Sequence, residues 1–482
     1  MAPHSYMHVR ESLLKARSFQ IPVKSGPILI RSFVPLLSCT LIVSSVTAVG
    51  TAQSAAVEHA KSPVVIVITL DGFPARALKD TRLPMPVLRA LASQGATADA
   101  MIPINPTVTW PNHTTIVTGV DASQHHVVAN GLIDLPADGS PLRVEPWVQK
   151  DQLVHARTLY EAATEKGLTT AQVDWVAIYG ARGVRWQFGE RPDIHDQISQ
   201  DLVAGGILRR EDIEHFGENS SPAWRDEVWT DAAVDIIQHH TSNLLLLHLL
   251  QTDTIQHEYA PLTPAAYAAY AYADQCLGRV VEAVRDAGIA DRTTFFVLSD
   301  HGFTTYTHTI SPNVALVEQG LIHKDGLSNK GDVWVKAEGG AAELFIRNPA
   351  RRAELLPKLK AYFSGLSGIQ GVYTNAEARA LGIPSEADTN QAPQLYLTAA
   401  GDYAFSDDLT GSLTRQNPPS GAHGYSNTMP DMQALFVASG TAVKPGVRLG
   451  TISNLRVAPT IAKILNVSLP DAEAAPLNEF LR

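Results

Sequence analysis

Cysteine is almost missing from this chain of 482 residues, which carries two, Cys39 and Cys276. Cys39 lies in an apolar amino-terminal run, and the single cysteine left beyond it closes no internal disulfide, so the fold must rely on its core and on bound ions. Positive charge is also short. Lys and Arg number 38 against 48 Asp and Glu, a formal net charge of -10, which leaves no basic surface for a polyanion and excludes extended nucleic acid as a substrate. Any phosphate bound here must be neutralised locally, by metal or by a few donors. Internal repeats and low-complexity tracts are lacking too, and the 45% hydrophobic content is that of a folded soluble protein.

The amino terminus reads as a separate object. Arg10, Lys15, Arg17, Lys24 and Arg31 precede an apolar run from Phe33 to Val49, and the small residues from Gly50 to Ala56 suit a signal peptidase. The expectation is an export signal over residues 1–55, cut between Gln53 and Val57, and a mature catalytic domain over residues 56–482. The protein is then periplasmic or secreted, with no stable membrane insertion once the signal is removed. An uncleaved anchor helix is the alternative, since the run approaches the length that spans a bilayer. A lipoprotein cut at Cys39 is disfavoured because the apolar stretch continues past it.

Three oily runs each end near an aspartate. Val64 to Leu70 meets Asp71, Leu244 to Leu250 leads to Asp253, and Thr293 to Ser299 reaches Asp300. Such runs read as buried parallel strands, and ligands of an open α/β sheet sit beyond the carboxyl ends of its strands. Three segments therefore deliver carboxylates to one edge. His257 and His301 follow two of them closely, and His423 stands in a Gly-rich stretch. Asp and His together are ligands for a borderline metal such as zinc.

Strand and helix patterns alternate along the chain. Strands are expected at Val64 to Leu70, Thr169 to Trp175, Leu244 to Leu250 and Thr294 to Leu298, with helices at Pro86 to Gln94, Trp224 to His239 and Pro264 to Ala287. Between about residues 310 and 420 the pattern loosens. Short strand candidates (Val333 to Val335, Ala342 to Ile346, Gln394 to Leu397, Tyr403 to Phe405) flank a helix at Arg351 to Phe363, which suggests an inserted α+β cap. The sheet pattern resumes at Ala434 to Ala438 and closes with a helix at Val457 to Leu465. The fold class is α/β, a central mostly parallel sheet flanked by helices.

The segment Asn105 to Gly119 carries the strongest local motif. Pro111 suits a first helical turn and Gly119 a helix end, so Thr109 sits at the start of a short helix, where unpaired amides favour an anion. Thr107 and Thr109 compete as nucleophile, and Thr109 could instead be a simple cap.

Val67-Ile68-Thr69-Leu70-Asp71-Gly72-Phe73, Thr109-Trp110-Pro111-Asn112-His113, Asp253 with His257, Ser299-Asp300-His301-Gly302-Phe303 and Gly421-Ala422-His423-Gly424-Tyr425 resemble, in order, the signature of the nucleotide pyrophosphatase/phosphodiesterase family of the alkaline phosphatase superfamily. The resemblance implies an alkaline-phosphatase-like fold and two zinc ions per chain. One would be held by Asp71, Asp300 and His301, with Thr109 binding there as nucleophile; the other by Asp253, His257 and His423. It implies a hydrolase cleaving phosphodiester or pyrophosphate bonds of small, nucleotide-type substrates through a covalent threonine intermediate. Asn130 stands where the family places an asparagine that contacts a phosphoryl oxygen, and Trp110 where an aromatic ring stacks on a nucleobase. His248 occupies the place of an opposing tyrosine and is counted with Trp110 and Asn130 as substrate-binding; this departure leaves the nucleotide pocket open. His113 is expected to be structural, His125 and His126 to be exposed loop residues or donors behind the site, and His308 to lie near the site without a role. Two other functions compete: a phosphomonoesterase or phosphonate hydrolase with a cation from Arg182, Arg185 or the cap, and an exported binding protein without turnover.

Overall fold

The computed structural model describes residues 62–482 apart from Asn219, so the expected export signal lies outside the described residues. Unbroken apolar runs have no face to show water and become strands covered on both sides. The central sheet has eight strands: β1 (Val64–Leu70), β2 (Ala96–Ile102), β3 (Thr170–Val173), β4 (Val184–Phe188), β5 (Leu244–Leu249), β6 (Thr293–Leu298), β7 (Phe436–Gly440) and β8 (Val447–Ser453), of which β1, β3, β5 and β6 are buried throughout. Their spatial order is β8-β2-β7-β6-β1-β5-β3-β4. Every pairing is parallel except those of β7, which runs antiparallel to β6 and β2. This is the mostly parallel, alkaline-phosphatase-like α/β architecture expected.

The helices that cover the sheet are α1 (Pro86–Gln94), α2 (Thr109–Thr118), α3 (Pro222–His239), α4 (Gln251–Tyr259), α5 (Pro264–Asp286) and α6 (Val457–Leu465). Alternation along β1 divides the core. Val64, Ile66, Ile68 and Leu70 join one apolar cluster with residues of α1, α3 and α5, while Val65 and Val67 join another with residues of α2 and α6. Each such side chain contributes roughly 1.5–3 kcal/mol relative to exposure. Local signals start the long helices: Ser221 and Thr263 accept the amides of Trp224 and Ala266, and a proline follows each cap. Cys276 is buried within α5.

The three aspartate-ending runs are the central neighbours β6-β1-β5, in register at Phe296, Val67 and Leu246. Their carboxyl ends therefore open side by side. Between Asp300 and His423 the chain builds a two-stranded ribbon, Ile322–Asp325 with Ser328–Gly331, and two larger sheets. Strands Val333–Glu338, Ala341–Ile346, Leu395–Ala399 and Ile369–Thr374 form an antiparallel four-stranded sheet beside helix Pro349–Ser364. Strands Tyr403–Phe405, Thr304–Ile310 and Thr414–Ala422 form the other. In it Ala422 pairs with Thr304, and this antiparallel closure returns His423 to the neighbourhood of His301. No helix among the described residues is long and apolar enough to cross a membrane.

Candidate functional site

Asp71 follows β1 directly and Asp300 ends the turn after β6. The amide of Gly72 donates to Asp300 Oδ1 at 3.0 Å, which ties the two strand ends together. Gly72 has a φ of +64°, and a Cβ there would stand 2.7 Å from the Phe303 ring, so only glycine fits this turn. His301 Nε2 lies 3.1 Å from Asp300 Oδ2 and 3.5 Å from Asp71 Oδ1. The ligand atoms of Asp71, Asp300 and His301 all lie within 4.8 Å of one another, and all three residues are buried.

Asp253 is in the first turn of α4, whose leading amides at Leu250 and Gln251 donate to the buried carboxylate of Asp226 on α3. One helical turn separates it from His257, so both side chains reach the same edge. Asp253 Oδ2 is 3.3 Å from His257 Nε2, and Asp253 Oδ1 is 3.7 Å from His423 Nε2. His301 joins the two groups: its ring stacks on that of His423 at 3.9 Å, and Asp253, His301 and His423 form a second trio within 4.8 Å. His257 is exposed at the rim, whereas the other five are buried. Phe303, fully buried, presents its ring to all three imidazoles at 4.9, 5.4 and 6.0 Å.

The donor set fits divalent metal on several grounds. Asp71 Oδ1, Asp253 Oδ1 and Asp300 Oδ2 are buried oxygens without hydrogen-bond partners, and each belongs to a carboxylate that faces an imidazole Nε2. The opposite nitrogen of every imidazole is taken: Nδ1 of His257, His301 and His423 meets the carbonyls of Gly421, Gly302 and Thr107 at 3.2, 3.1 and 3.0 Å. That arrangement leaves Nε2 as the free lone pair, as metal ligands require. Burial, then Asp300 and Asp253, hold the Asp71 carboxyl well above its usual range, and burial raises Asp253 too. Burial pushes His301 down to about 3 and His423 well below its ordinary value, keeping both imidazoles neutral. Three crowded, buried acids carry more negative charge than their one cationic partner, His248 beside Asp71, can balance, and next to neutral imidazoles they call for a cation.

Thr109 is the first residue of α2, and its side chain caps nothing. Thr109 Oγ1 lies 3.4 Å from His301 Nε2, at the edge of the first trio. Thr107, the competing hydroxyl, donates to the Tyr425 carbonyl at 2.7 Å and is fully buried, so it is already spent. Asn130 is exposed and accepts the Trp110 amide at Oδ1, 3.0 Å, which leaves its NH2 group as a donor beside the start of α2. Trp110 packs against Val127, Leu153 and Val176 and lines a cavity of about 670 Å³ together with Trp147, Trp175 and Tyr179. Arg191, the one Lys or Arg among the described residues lining that cavity, lies over the Trp147 ring at 4.2 Å.

His248 departs from its expected place. Its side chain is 3% exposed and turned inward, with Nε2 at 2.9 Å from Asp71 Oδ2 and Nδ1 at 2.9 Å from Asp174 Oδ2. Residue 248 on β5 pairs with Thr69 on β1, behind Asp71, so it faces a metal-ligand candidate and not the cavity. Burial alone would lower His248, but Asp174 and Asp71 more than offset it and leave it well above its ordinary value, while burial raises Asp174 to about 7. His113 is structural as expected, bonded to Thr69 Oγ1 at 2.8 Å and to the Thr109 carbonyl at 2.9 Å. His125 is fully buried where an exposed loop position was one of the two expectations; its Nδ1 accepts the Val127 amide at 3.1 Å. His308 pairs with Asp402 and Tyr403 in the three-stranded sheet. Sequence reasoning assigned no role to Asp174, Asp226, Phe303 or Gln256, whose Nε2 donates to the Gly72 carbonyl at 3.0 Å.

Residues 65–426 match the family model of type I phosphodiesterase / nucleotide pyrophosphatase. The chain belongs to that family. It is thereby a hydrolase of the phosphodiesterase/pyrophosphatase class. It is 24% identical over 418 residues to an uncharacterized pyrophosphatase/phosphodiesterase of Schizosaccharomyces pombe, covering 84% of this chain and 77% of that one. It is 26% identical over 445 residues to ectonucleotide pyrophosphatase/phosphodiesterase family member 1 of Rattus norvegicus, covering 88% of this chain and 43% of that longer protein. The fold matches that of the murine ectonucleotide pyrophosphatase/phosphodiesterase 5, solved in inactive form with AMP, at a TM-score of 0.66 and 16% identity over 88% of this chain and 100% of that one.

Proposed function

We propose that this chain is an exported hydrolase that cleaves phosphodiester or pyrophosphate bonds of small molecules, nucleotide-type substrates among them, with Thr109 as nucleophile. The single observation that carries the reading is the Thr109 hydroxyl, unused by its helix and 3.4 Å from His301 Nε2, beside buried carboxylate oxygens that lack partners. Two divalent cations, zinc by the chemistry of the donors, would be held by Asp71, Asp300 and His301 and by Asp253, His257 and His423. When bound they supply the positive charge that favours the threonine alkoxide and offsets the charge of the phosphoryl oxygens.

The chain's own residues do the rest. The start of α2 orients Thr109, whose oxygen bonds to phosphorus as the bond to the leaving oxygen breaks; water then cleaves the phosphothreonine ester. The NH2 of Asn130 donates to a non-bridging oxygen, a neutral contact suited to the single negative charge of a diester. The second substituent of the diester goes to the cavity beside Trp110, where stacking on a nucleobase contributes roughly 1–3 kcal/mol. A monoester would need a cation instead, and the arginines nearby are engaged: Arg182 pairs with Asp151, Arg185 lies over Trp186 and Arg191, in the cavity, over Trp147. Residues 1–55 act as the export signal of a catalytic domain over residues 56–482, which amino-terminal sequencing of exported protein tests. The activity test is kcat/KM for bis-p-nitrophenyl phosphate against p-nitrophenyl phosphate. The diester is expected to be preferred; a tenfold preference for the monoester overturns the diesterase reading.

A further inference from the structure

We propose that His248, held by Asp174, is a positioning residue that makes Asp71 a one-oxygen metal ligand; this rests on the two-metal reading above. The carboxylate of Asp71 is divided between two environments. Oδ2 takes the hydrogen bond of His248 Nε2 at 2.9 Å, while Oδ1 has no partner and stands 3.5 Å from His301 Nε2. Asp300 is divided in the same way, with Oδ1 on the Gly72 amide and Oδ2 unpartnered. In each acid one oxygen is committed to the protein so that the other is presented to the trio.

A donor at position 248 is not demanded by packing. The strand reads Leu244-Leu245-Leu246-Leu247-His248-Leu249, every residue of it buried, and an apolar side chain would continue the run without a polar atom to satisfy. The histidine is tolerated because both nitrogens are used and the ring is enclosed. Its Nδ1 lies 2.9 Å from Asp174 Oδ2 and 3.2 Å from the Asp174 carbonyl, and its ring meets that of His113 edge to face at 4.7 Å, itself held by Thr69 Oγ1 and packed on Trp175 at 4.9 Å.

Asp174 is kept at a cost. Its backbone has a φ of +54°, a left-handed conformation uncommon for a residue other than glycine, and its Oδ1 is buried without a partner. A buried acid that completes only one side-chain bond, from a strained backbone position, is explained by the residue it fixes. Asp174 sets the rotation of the His248 ring, and the ring sets which oxygen of Asp71 faces the trio. Partners of this kind behind a metal ligand govern metal affinity by roughly 10–100-fold.

The test uses the full chain loaded with cobalt(II) or zinc, in competition with a chromogenic chelator, and the visible spectrum of the cobalt form. Wild-type protein is expected to bind two ions. In His248→Phe, one of the two should bind roughly 10–100-fold more weakly with an altered cobalt absorption, the other being unchanged. His248→Gln, which keeps a donor, should lose less. Asp174→Asn, which tolerates the left-handed backbone, should fall between wild type and His248→Phe, and adding it to His248→Phe should weaken binding no further. Wild-type affinity and spectrum in both His248→Phe and Asp174→Asn overturn the proposal, as does additive loss in the double variant. Should His248→Phe fail to fold, Asp174→Asn decides alone. A wild-type protein that binds no metal refutes instead the two-metal reading on which the proposal stands.

Discussion

Two threonines two residues apart should respond to the same substitution in opposite ways. In Thr109→Ala the lost hydroxyl makes no capping bond, and the main-chain carbonyl that receives His113 Nδ1 at 2.9 Å is retained. The expected loss of stability is therefore less than about 1 kcal/mol, the low end for a residue at a helix start. Turnover should nevertheless fall by about four to six orders of magnitude, since removing a nucleophile abolishes the covalent route and leaves only binding and electrostatic contributions. In Thr107→Ala the hydroxyl that donates to the Tyr425 carbonyl at 2.7 Å disappears from a fully buried site. An acceptor left unpaired there costs about 1–3 kcal/mol. Turnover should stay within about tenfold, because the Thr107 carbonyl that orients His423 Nδ1 at 3.0 Å belongs to the main chain and survives. Urea unfolding and single-turnover cleavage of bis-p-nitrophenyl phosphate, measured on both variants, separate the effects. Activity of Thr109→Ala within tenfold of wild type, or a well-folded but inactive Thr107→Ala, would refute the assignment of the nucleophile.

Metal analysis after mild dialysis should find close to two zinc ions per chain, and a chelator should abolish turnover until zinc is restored; full activity in metal-free protein contradicts this. Asn130→Ala should lower kcat for the diester by about 10²-fold, the effect of removing one donor from developing charge, and should cost about 0.5–2 kcal/mol of stability because the Trp110 amide loses its acceptor. His125 provides a test of pH dependence away from the ligands. Burial lowers it from 6.5 to about 3 in the folded protein, so its stabilising contribution is complete above about pH 6.5 and is lost as pH falls toward 3. Its Nδ1, which accepts the Val127 amide, cannot accept once protonated. The unfolding free energy of wild type should thus drop more between pH 7 and pH 5 than that of His125→Asn, and parallel curves would exclude the assignment.

The parts of this protein that were legible early are those where one physical term dominates locally. Apolar runs such as Val64 to Leu70 form covered strands whatever surrounds them, and the aspartate that ends each run marks the open edge of the sheet. Helices α3 and α5 were legible from their apolar spacing, although α3 begins at Pro222, two residues before the expected Trp224. Strands Thr304–Ile310 and Thr414–Ala422 were not, because they are largely polar, with Pro418 and Pro419 in the second, and owe their pairing to the fold around them. Yet that pairing places His423 beside His301.

Residue type and order thus determined by themselves the α/β class, the edge at which acids and histidines gather and the identity of the ligand candidates, since burial patterns and donor chemistry are properties of short segments. Tertiary structure alone decided the rest. The motif favours Thr109 over Thr107, but only the fold shows why Thr107 is unavailable: the Tyr425 carbonyl arrives from more than 300 residues away to occupy its hydroxyl. His248 sits in an apolar run and looks like a pocket residue until β1 pairs beside it and Asp174 closes behind it. Which hydroxyl is free and which way an imidazole faces depend on contacts between distant segments, and those exist only once the chain has folded.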